Sequence, residues 1–173
     1  LFRSVGFAAM AGLRVFHVGG NQLSGTLPAA YGAWGSLSAF GVGSNRLTGS
    51  LPPEYDAWAQ LQLFVASVNQ ISGTLPREYG RWSRIAAFDV MSNKLSGSIP
   101  AAYALWRNIS VVSVQSNNLG GTLPPEFGEW SRMMKLTLGS NRLEGTLPPE
   151  YASWGRLSLF WCEETMISGT LPV

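Results

Sequence analysis

Residues 61–84 read LQLFVASVNQISGTLPREYGRWSR, and this pattern of leucine, asparagine, glycine, proline and tryptophan recurs every 24 residues along the chain. The asparagines that mark the pattern are Asn21, Asn45, Asn69, Asn93, Asn117 and Asn141. A glycine follows each asparagine four positions later. A fixed period of this length is typical of a solenoid, in which each unit buries its apolar face only by stacking on its neighbours. We therefore expect function on an extended surface.

Two kinds of spacing divide each unit. Phe16 and Val18 alternate with polar or small neighbours, which is the period of a strand with one buried face. Tyr31 and Trp34 lie three positions apart, which places both on one face of a short helical turn. The first pattern predicts a parallel sheet with one strand per unit, and the second predicts a column of aromatic side chains in the core.

The asparagine and the glycine predict how the chain leaves each strand. An asparagine amide both donates and accepts, so it satisfies backbone groups that a tightly coiled loop would leave without partners. Gly25 fits a position where φ is positive or a side chain would clash, and the Leu27 and Pro28 step then fixes an extended path. We expect the six asparagines to form a structural ladder.

These residues resemble the leucine-rich repeat signature. The phrases LSGTLP at 23–28 and ISGTLP at 71–76 are similar to the 24-residue subtype found in plant receptor ectodomains. The resemblance implies an α/β solenoid, a right-handed superhelix with a parallel concave sheet of about seven strands and short helical, 3₁₀ or extended convex segments. The predicted repeat domain covers 13–173, after a partial N-terminal repeat at 1–12. Its units are 13–36, 37–60, 61–84, 85–108, 109–132, 133–156 and the incomplete 157–173.

A narrower resemblance rests on Leu-Pro-Pro-Glu-Tyr at 51–55 and 147–151 and on Leu-Pro-Pro-Glu-Phe at 123–127, each followed by a tryptophan. These phrases are similar to repeats of the promastigote surface antigen and proteophosphoglycan group of trypanosomatid (Leishmania-type) parasites. That resemblance implies a location at the cell surface or a secreted protein, and a protein ligand or host receptor such as complement receptor 3. The sequence itself contains no targeting signal, and it begins and ends partway through a repeat, so we expect a fragment of a longer protein.

Composition excludes several other functions. The formal net charge is +2 and the charges are scattered, so no nucleic-acid partner is implied. No run approaches the roughly 18 apolar residues of a membrane helix, so we expect no direct membrane insertion by this segment. His17 is the single histidine, and no Cys and His cluster has the spacing of metal ligands. We therefore predict that the protein is not an enzyme and holds no metal or cofactor.

The predicted binding surface is the concave face. Charges are sparse in its columns and apolar residues are frequent, which is typical of a protein interface. The predicted contact residues are Leu63, Val65, Asp89, Met91, Val111, Ser113, Gln115, Lys135, Thr137, Leu159 and Trp161. Trp161 is the one tryptophan outside the packing column, so it is the candidate anchor. The alternatives are that these side chains only support strand pairing, and that Trp161 covers an exposed end of the stack.

Three smaller features leave alternatives open. Arg46, Lys94 and Arg142 follow the asparagines on alternate strands, where they form either a track for a polyanion or a solvated rim. Asn108 begins an Asn-Ile-Ser sequence and is a possible N-glycosylation site. Cys162 stands at a core position, which predicts a buried thiol, and the alternative is a disulfide to a cysteine beyond Val173.

The functional prediction is a non-catalytic protein-recognition module of a cell-surface protein that binds a host or neighbouring protein through its concave face. One alternative is a structural or shielding surface array without a specific ligand. The other alternative is the ligand-binding ectodomain of a signalling receptor, as in plants.

Overall fold

The computed structural model describes residues 4–171, so residues 1–3 of the predicted partial repeat and residues 172–173 of the last predicted unit lie outside it. A short α-helix, α1, spans Ser4–Ala8. The strands in chain order are β1 Val15–His17, β2 Ser24–Thr26, β3 Ala39–Gly41, β4 Arg46–Thr48, β5 Leu63–Val65, β6 Ser72–Thr74, β7 Ala87–Asp89, β8 Lys94–Gly97, β9 Val111–Ser113, β10 Asn118–Thr122, β11 Lys135–Thr137, β12 Arg142–Gly145, β13 Leu159–Trp161 and β14 Met166–Ile167. The 3₁₀ helices are Ala29–Ala33, Pro53–Ala57, Arg77–Arg81, Ala101–Leu105, Pro125–Glu129 and Pro149–Ser153.

The odd-numbered strands form one parallel sheet of seven strands, in the order β1-β3-β5-β7-β9-β11-β13. Each residue pairs with the residue 24 positions away, so Phe40 pairs with Phe64 and Phe64 pairs with Phe88. This in-phase register stacks identical positions into columns. It confirms the predicted solenoid, with one concave strand per unit and a 3₁₀ turn on the convex side.

The even-numbered strands form a second set of parallel ladders that the sequence pattern did not predict. Strands β6, β8, β10, β12 and β14 form a sheet of five, and β2 pairs with β4. The glycine after each asparagine lies in or beside these strands. Gly49 has φ of 77°, and a Cβ added there would lie 2.7 Å from Thr26 Cγ2. Both predicted reasons for glycine, a positive φ and a close approach, therefore hold at this position.

Aromatic side chains fill the space between the two sides of the coil. Trp58 is fully buried and stacks on Tyr55 of its own unit with ring centroids 3.9 Å apart. The Trp58 indole N–H donates to the Tyr31 carbonyl of the preceding unit at 3.0 Å. The Tyr55 hydroxyl donates to the Pro28 carbonyl at 3.1 Å. Each aromatic pair therefore packs within its unit and bonds to the unit before it.

Helix α1 accepts the indole hydrogen bond of the first tryptophan in the column. The Trp34 indole N–H donates to the Phe7 carbonyl at 2.9 Å, in the same way as each later tryptophan bonds to the preceding unit. Phe7 is half-buried and packs against the core. The helix therefore provides the carbonyl that the first tryptophan of the column needs.

The asparagines point into the coil. Asn93 Nδ2 donates to the carbonyls of Ala66, Val90 and Met91 at 3.0, 3.1 and 3.3 Å, and its Oδ1 accepts from the Ile71 amide at 2.9 Å. Asn45, Asn69, Asn117 and Asn141 likewise donate to the carbonyl 27 residues earlier, in the preceding unit. The amide group thus replaces the water that these backbone groups would otherwise need.

We predict that Asn93→Ala lowers the free energy of unfolding by at least about 3 kcal/mol, because it leaves several buried backbone groups without partners. Urea unfolding followed by tryptophan fluorescence measures the effect. The matched control is Asn118→Ala, since Asn118 is exposed at the start of β10 and should change stability by less than about 0.5 kcal/mol. Equal effects of the two substitutions would contradict the role of the ladder.

Phe127 offers a second test of the stack. It stands where other units have a tyrosine whose hydroxyl donates to the proline carbonyl of the preceding unit. Phe127→Tyr should add a bond to the Pro100 carbonyl and raise stability by about 1 kcal/mol, whereas Tyr103→Phe should remove the 3.0 Å bond to Pro76 and lower it by about 1 to 2 kcal/mol. Thermal melts should show shifts of roughly 2 to 4 °C per kcal/mol. Two shifts of the same sign would show that the hydroxyl does not stabilise the stack.

Candidate binding surface

The outward-facing side chains of the concave sheet and of the residues just after it form three columns. The first column contains Val15, Ala39, Leu63, Ala87, Val111, Lys135 and Leu159. The second contains His17, Gly41, Val65, Asp89, Ser113, Thr137 and Trp161. The third contains Gly19, Gly43, Ser67, Met91, Gln115, Gly139 and Glu163. Column positions lie about 4.8 Å apart along the solenoid, which is the spacing of paired strands.

Most of the predicted contact residues reach solvent. Lys135, Leu159 and Trp161 are exposed. The half-buried members are Leu63, Val65, Asp89, Met91, Val111 and Gln115. The buried strand residues between them, such as Phe64, face the core. The sheet therefore presents partly exposed apolar groups on most of its strands, with Asp89 and Lys135 as charged residues among them.

Ser113 and Thr137 differ from the prediction, because both are buried, with 5% and 2% of their surfaces exposed. They are short side chains in the second column between Asp89 and Trp161, and a short side chain between larger ones loses contact with solvent. The Thr137 hydroxyl has no hydrogen-bond partner within the part of the chain that the structure describes. The surface available to a partner is therefore narrower around these two residues.

Leu159 and Trp161 lie on β13, the last strand of the described sheet, where no further described strand covers them. Leu159 and Trp161 are 38% and 43% exposed on β13, and the half-buried Phe160 between them packs against the core. An exposed tryptophan beside an exposed leucine is a costly arrangement in water, and both residue types gain free energy when a partner covers them.

Hydrogen bonds hold the middle of the surface in place. Asp89 Oδ1 accepts from the Met91 amide at 3.1 Å, and Gln115 Nε2 donates to Met91 Sδ at 3.7 Å. Gly43 leaves no side chain in the neighbouring unit, and a Cβ there would lie 3.3 Å from Val65 Cγ1. The centre of the concave face is thus a flat apolar area between fixed polar groups.

Val68 also lies on this surface, although it is not among the predicted contact residues. It precedes Asn69 at the edge of the concave face, is 44% exposed, and has φ of 54°. Four other units have serine at this position, all with φ of 52° to 56°. A valine at a position that holds serine in four units, glycine at 20 and glutamate at 164 was the signal in the sequence that could have identified it.

The remaining sequence candidates lie away from the concave columns. Asn108 is half-buried in the turn before β9, and its Nδ2 donates to the Ser83 carbonyl at 3.0 Å. Arg46, Lys94 and Arg142 begin the second strands of alternate units and are exposed. Only Lys94 among these three cations has a polar side-chain contact within residues 4–171, a 3.4 Å bond to Gln70 Oε1.

Among residues 4–171, no three His, Cys, Asp or Glu side chains are grouped so that they could hold a metal ion. The void of about 10 Å³ beside Val112 and Leu136 has an entirely apolar lining in the core and has room for no more than one water molecule. Within the same residues, no helix has the length and apolar character that crossing a membrane requires.

Solved structures of plant receptors are similar to this chain. A TDR receptor is 27% identical with a TM-score of 0.94, over 95% of this chain and 29% of the receptor. The Arabidopsis receptor kinase HAESA, in complex with the peptide hormone IDA and the co-receptor SERK1, is 27% identical with a TM-score of 0.94, over 96% and 28%. The plant peptide hormone receptor RGFR1, in complex with RGF2, is 26% identical with a TM-score of 0.88, over 95% and 30%.

The chain therefore spans less than one third of the length of each of these three receptors. No protein-family model and no curated protein matches the sequence.

The reactivity of Cys162 tests how well the last described unit packs against the core. The residue is half-buried and packs against the core, and burial raises the pKa of its thiol. Less thiolate at pH 8 means slower reaction, so we expect the folded chain to react with Ellman's reagent about tenfold more slowly than the chain unfolded in urea. Equal rates in the two states would show that the thiol is freely accessible.

Proposed function

We propose that this leucine-rich repeat protein of the plant type is a non-catalytic recognition module that binds an extended segment of another protein along its concave sheet. The observation that carries the proposal is the set of partly exposed apolar side chains on the in-phase strands of the concave sheet, interrupted at β11 by Lys135. Such a row is stable in water but gains free energy when covered. Its length of about 29 Å matches about nine residues of extended chain.

The similar receptors support this proposal. HAESA and RGFR1 are described in complexes with the peptide hormone IDA and with RGF2, and their repeats superpose on nearly the whole of this chain. By extension, we propose that the chain is part of a receptor-like ectodomain at the cell surface or secreted. A protein or peptide ligand fits an extended, open sheet surface better than a small molecule, which binds in a concave pocket.

Two other functions were open from the sequence. The parasite-antigen function, with a host receptor such as complement receptor 3 as its partner, rests on the Leu-Pro-Pro-Glu-Tyr phrases at 51–55 and 147–151 and the Leu-Pro-Pro-Glu-Phe phrase at 123–127, each followed by a tryptophan. The shielding array would need no exposed apolar row. The likeness to hormone-binding receptors favours the receptor-like ectodomain over both.

The test begins with a selection of phage-displayed random peptides of about 12 residues, a length that covers the concave row, on the whole chain. The affinity of the enriched peptides is then measured for the unchanged chain and for Leu63→Arg and Trp161→Ala. We expect each substitution to weaken binding at least about tenfold, because the first places a charge in the apolar row and the second removes the anchor.

The matched control is Leu105→Arg, since Leu105 is 58% exposed at the end of a convex 3₁₀ helix. This variant should bind the peptides with unchanged affinity. Thermal melts of all three variants separate loss of binding from loss of folding. Peptides that bind equally well to Leu63→Arg and Trp161→Ala, or that lose binding with Leu105→Arg, would place the binding surface elsewhere.

A further inference from the structure

Val68 occupies a backbone conformation that a β-branched residue rarely adopts. Its φ is 54°, in the left-handed region, where valine is a strained outlier and serine or glycine is tolerated more readily. At the same corner Ser44, Ser92, Ser116, Ser140 and Glu164 have nearly the same φ, and Gly20 has φ of 68°, so valine is the one β-branched residue there. The repeat thus requires this conformation in every unit, whichever residue is present.

Hydrogen bonds from both neighbouring units fix this corner. The Val68 amide donates to the Met91 carbonyl at 2.9 Å, and the Val68 carbonyl accepts from the Asn45 amide at 3.2 Å. The side chain gains little from the core in return, because it is 44% exposed. Valine here is therefore unfavourable both for the backbone and for contact with water, and folding gives no reason for it.

Val68 lies near two apolar residues and two cations of its own and the neighbouring units. Val65 and Met91 are half-buried apolar neighbours on the concave side. Arg46 and Lys94 lie one unit before and one unit after, two residues further along the coil, on the order of 8 Å away by strand geometry. We call these five residues, Arg46, Val65, Val68, Met91 and Lys94, the Val68 rim.

The charge of the rim is not neutralised from within the described chain. The ion pairs found within residues 4–171 join Arg81 to Asp56 and Arg107 to Glu129, all of them outside the rim. Asp89 is the nearest acidic residue of the concave columns, and its carboxylate already accepts a hydrogen bond from the Met91 amide. The rim therefore combines an exposed apolar centre with two exposed cations.

We infer that the Val68 rim captures an acidic segment of the partner protein, in which an apolar side chain is flanked by carboxylates. The apolar side chain packs against Val68, Val65 and Met91, and the carboxylates pair with Arg46 and Lys94. Charge complementarity and the strained apolar residue point to the same occupant. This inference rests on the proposed function and specifies the chemistry of the ligand.

The decisive variant is Val68→Ser, because it removes the apolar centre and relieves the backbone. We expect its melting temperature to rise by about 3 °C. The phage-selected peptides should be enriched in an apolar residue between acidic residues, and they should bind Val68→Ser and the double variant Arg46→Ser, Lys94→Ser at least about tenfold more weakly than the unchanged chain. A variant that is more stable and yet binds less cannot owe its loss to unfolding.

The matched control is Arg142→Ser, which removes a cation from the equivalent position of a later unit and should leave the affinity unchanged. The inference is overturned if no acidic and apolar pattern is enriched, or if the selected peptides bind Val68→Ser as tightly as the unchanged chain. If binding is lost with Leu63→Arg but kept with Val68→Ser, the concave function stands and the rim does not contribute. If neither substitution matters, the proposed function fails with it.

Discussion

The structure depends on one constraint: the asparagine, tryptophan and tyrosine side chains buried in the coil each need a hydrogen-bond partner in the adjacent unit, and the asparagines also bond within their own unit. The asparagine amide, the tryptophan indole and the tyrosine hydroxyl each donate to a carbonyl 27 residues earlier, as Asn69, Trp82 and Tyr79 do. Burial raises the pKa of Tyr79 and Tyr103 well above the ordinary value, so these phenols stay neutral and keep donating. The buried polar groups of a unit therefore find their hydrogen-bond partners only when the adjacent unit has the same geometry.

This constraint separates positions that repeat from positions that are free to vary. Side chains inside the coil must match their neighbours, and the aromatic, leucine and asparagine columns are accordingly regular. Side chains on the concave face contact the solvent, so the same backbone accepts Leu63, Asp89 or Trp161 there. Val68 is informative because it breaks the regularity at a corner whose conformation the neighbouring units impose. Valine strains the backbone at that corner more than serine or glycine does, and the proposed contact with a partner would offset this strain.

The sequence predicted the solenoid because its signals were periodic over the whole chain. The period of 24, the alternation around Phe16 and the spacing of Tyr31 and Trp34 each appear in nearly every unit. The sequence did not predict the second ladder of strands. These strands are two to five residues long and rich in serine, glycine and threonine, so they do not alternate between apolar and polar residues. The burial of Ser113 and Thr137 was not predicted either. Their exposure depends on the sizes of the side chains in neighbouring columns, and strand alternation alone does not contain that information.

The convex side shows that the units also differ in pairs. A Cβ added at Gly32 or Gly80 would lie 2.6 Å from a carbonyl oxygen of the next unit, so these glycines let two successive turns approach closely. The next units have Asp56 and Ala104 at the same position, whose side chains keep the following turn further away. Arg46 and Lys94 also recur with this spacing of 48 residues, on the second unit of each pair. The two cations are therefore separated by two strand spacings, about 10 Å, with the unit that contains Val68 between them. A segment that pairs with both cations must cross that unit, which is where the strained apolar side chain lies.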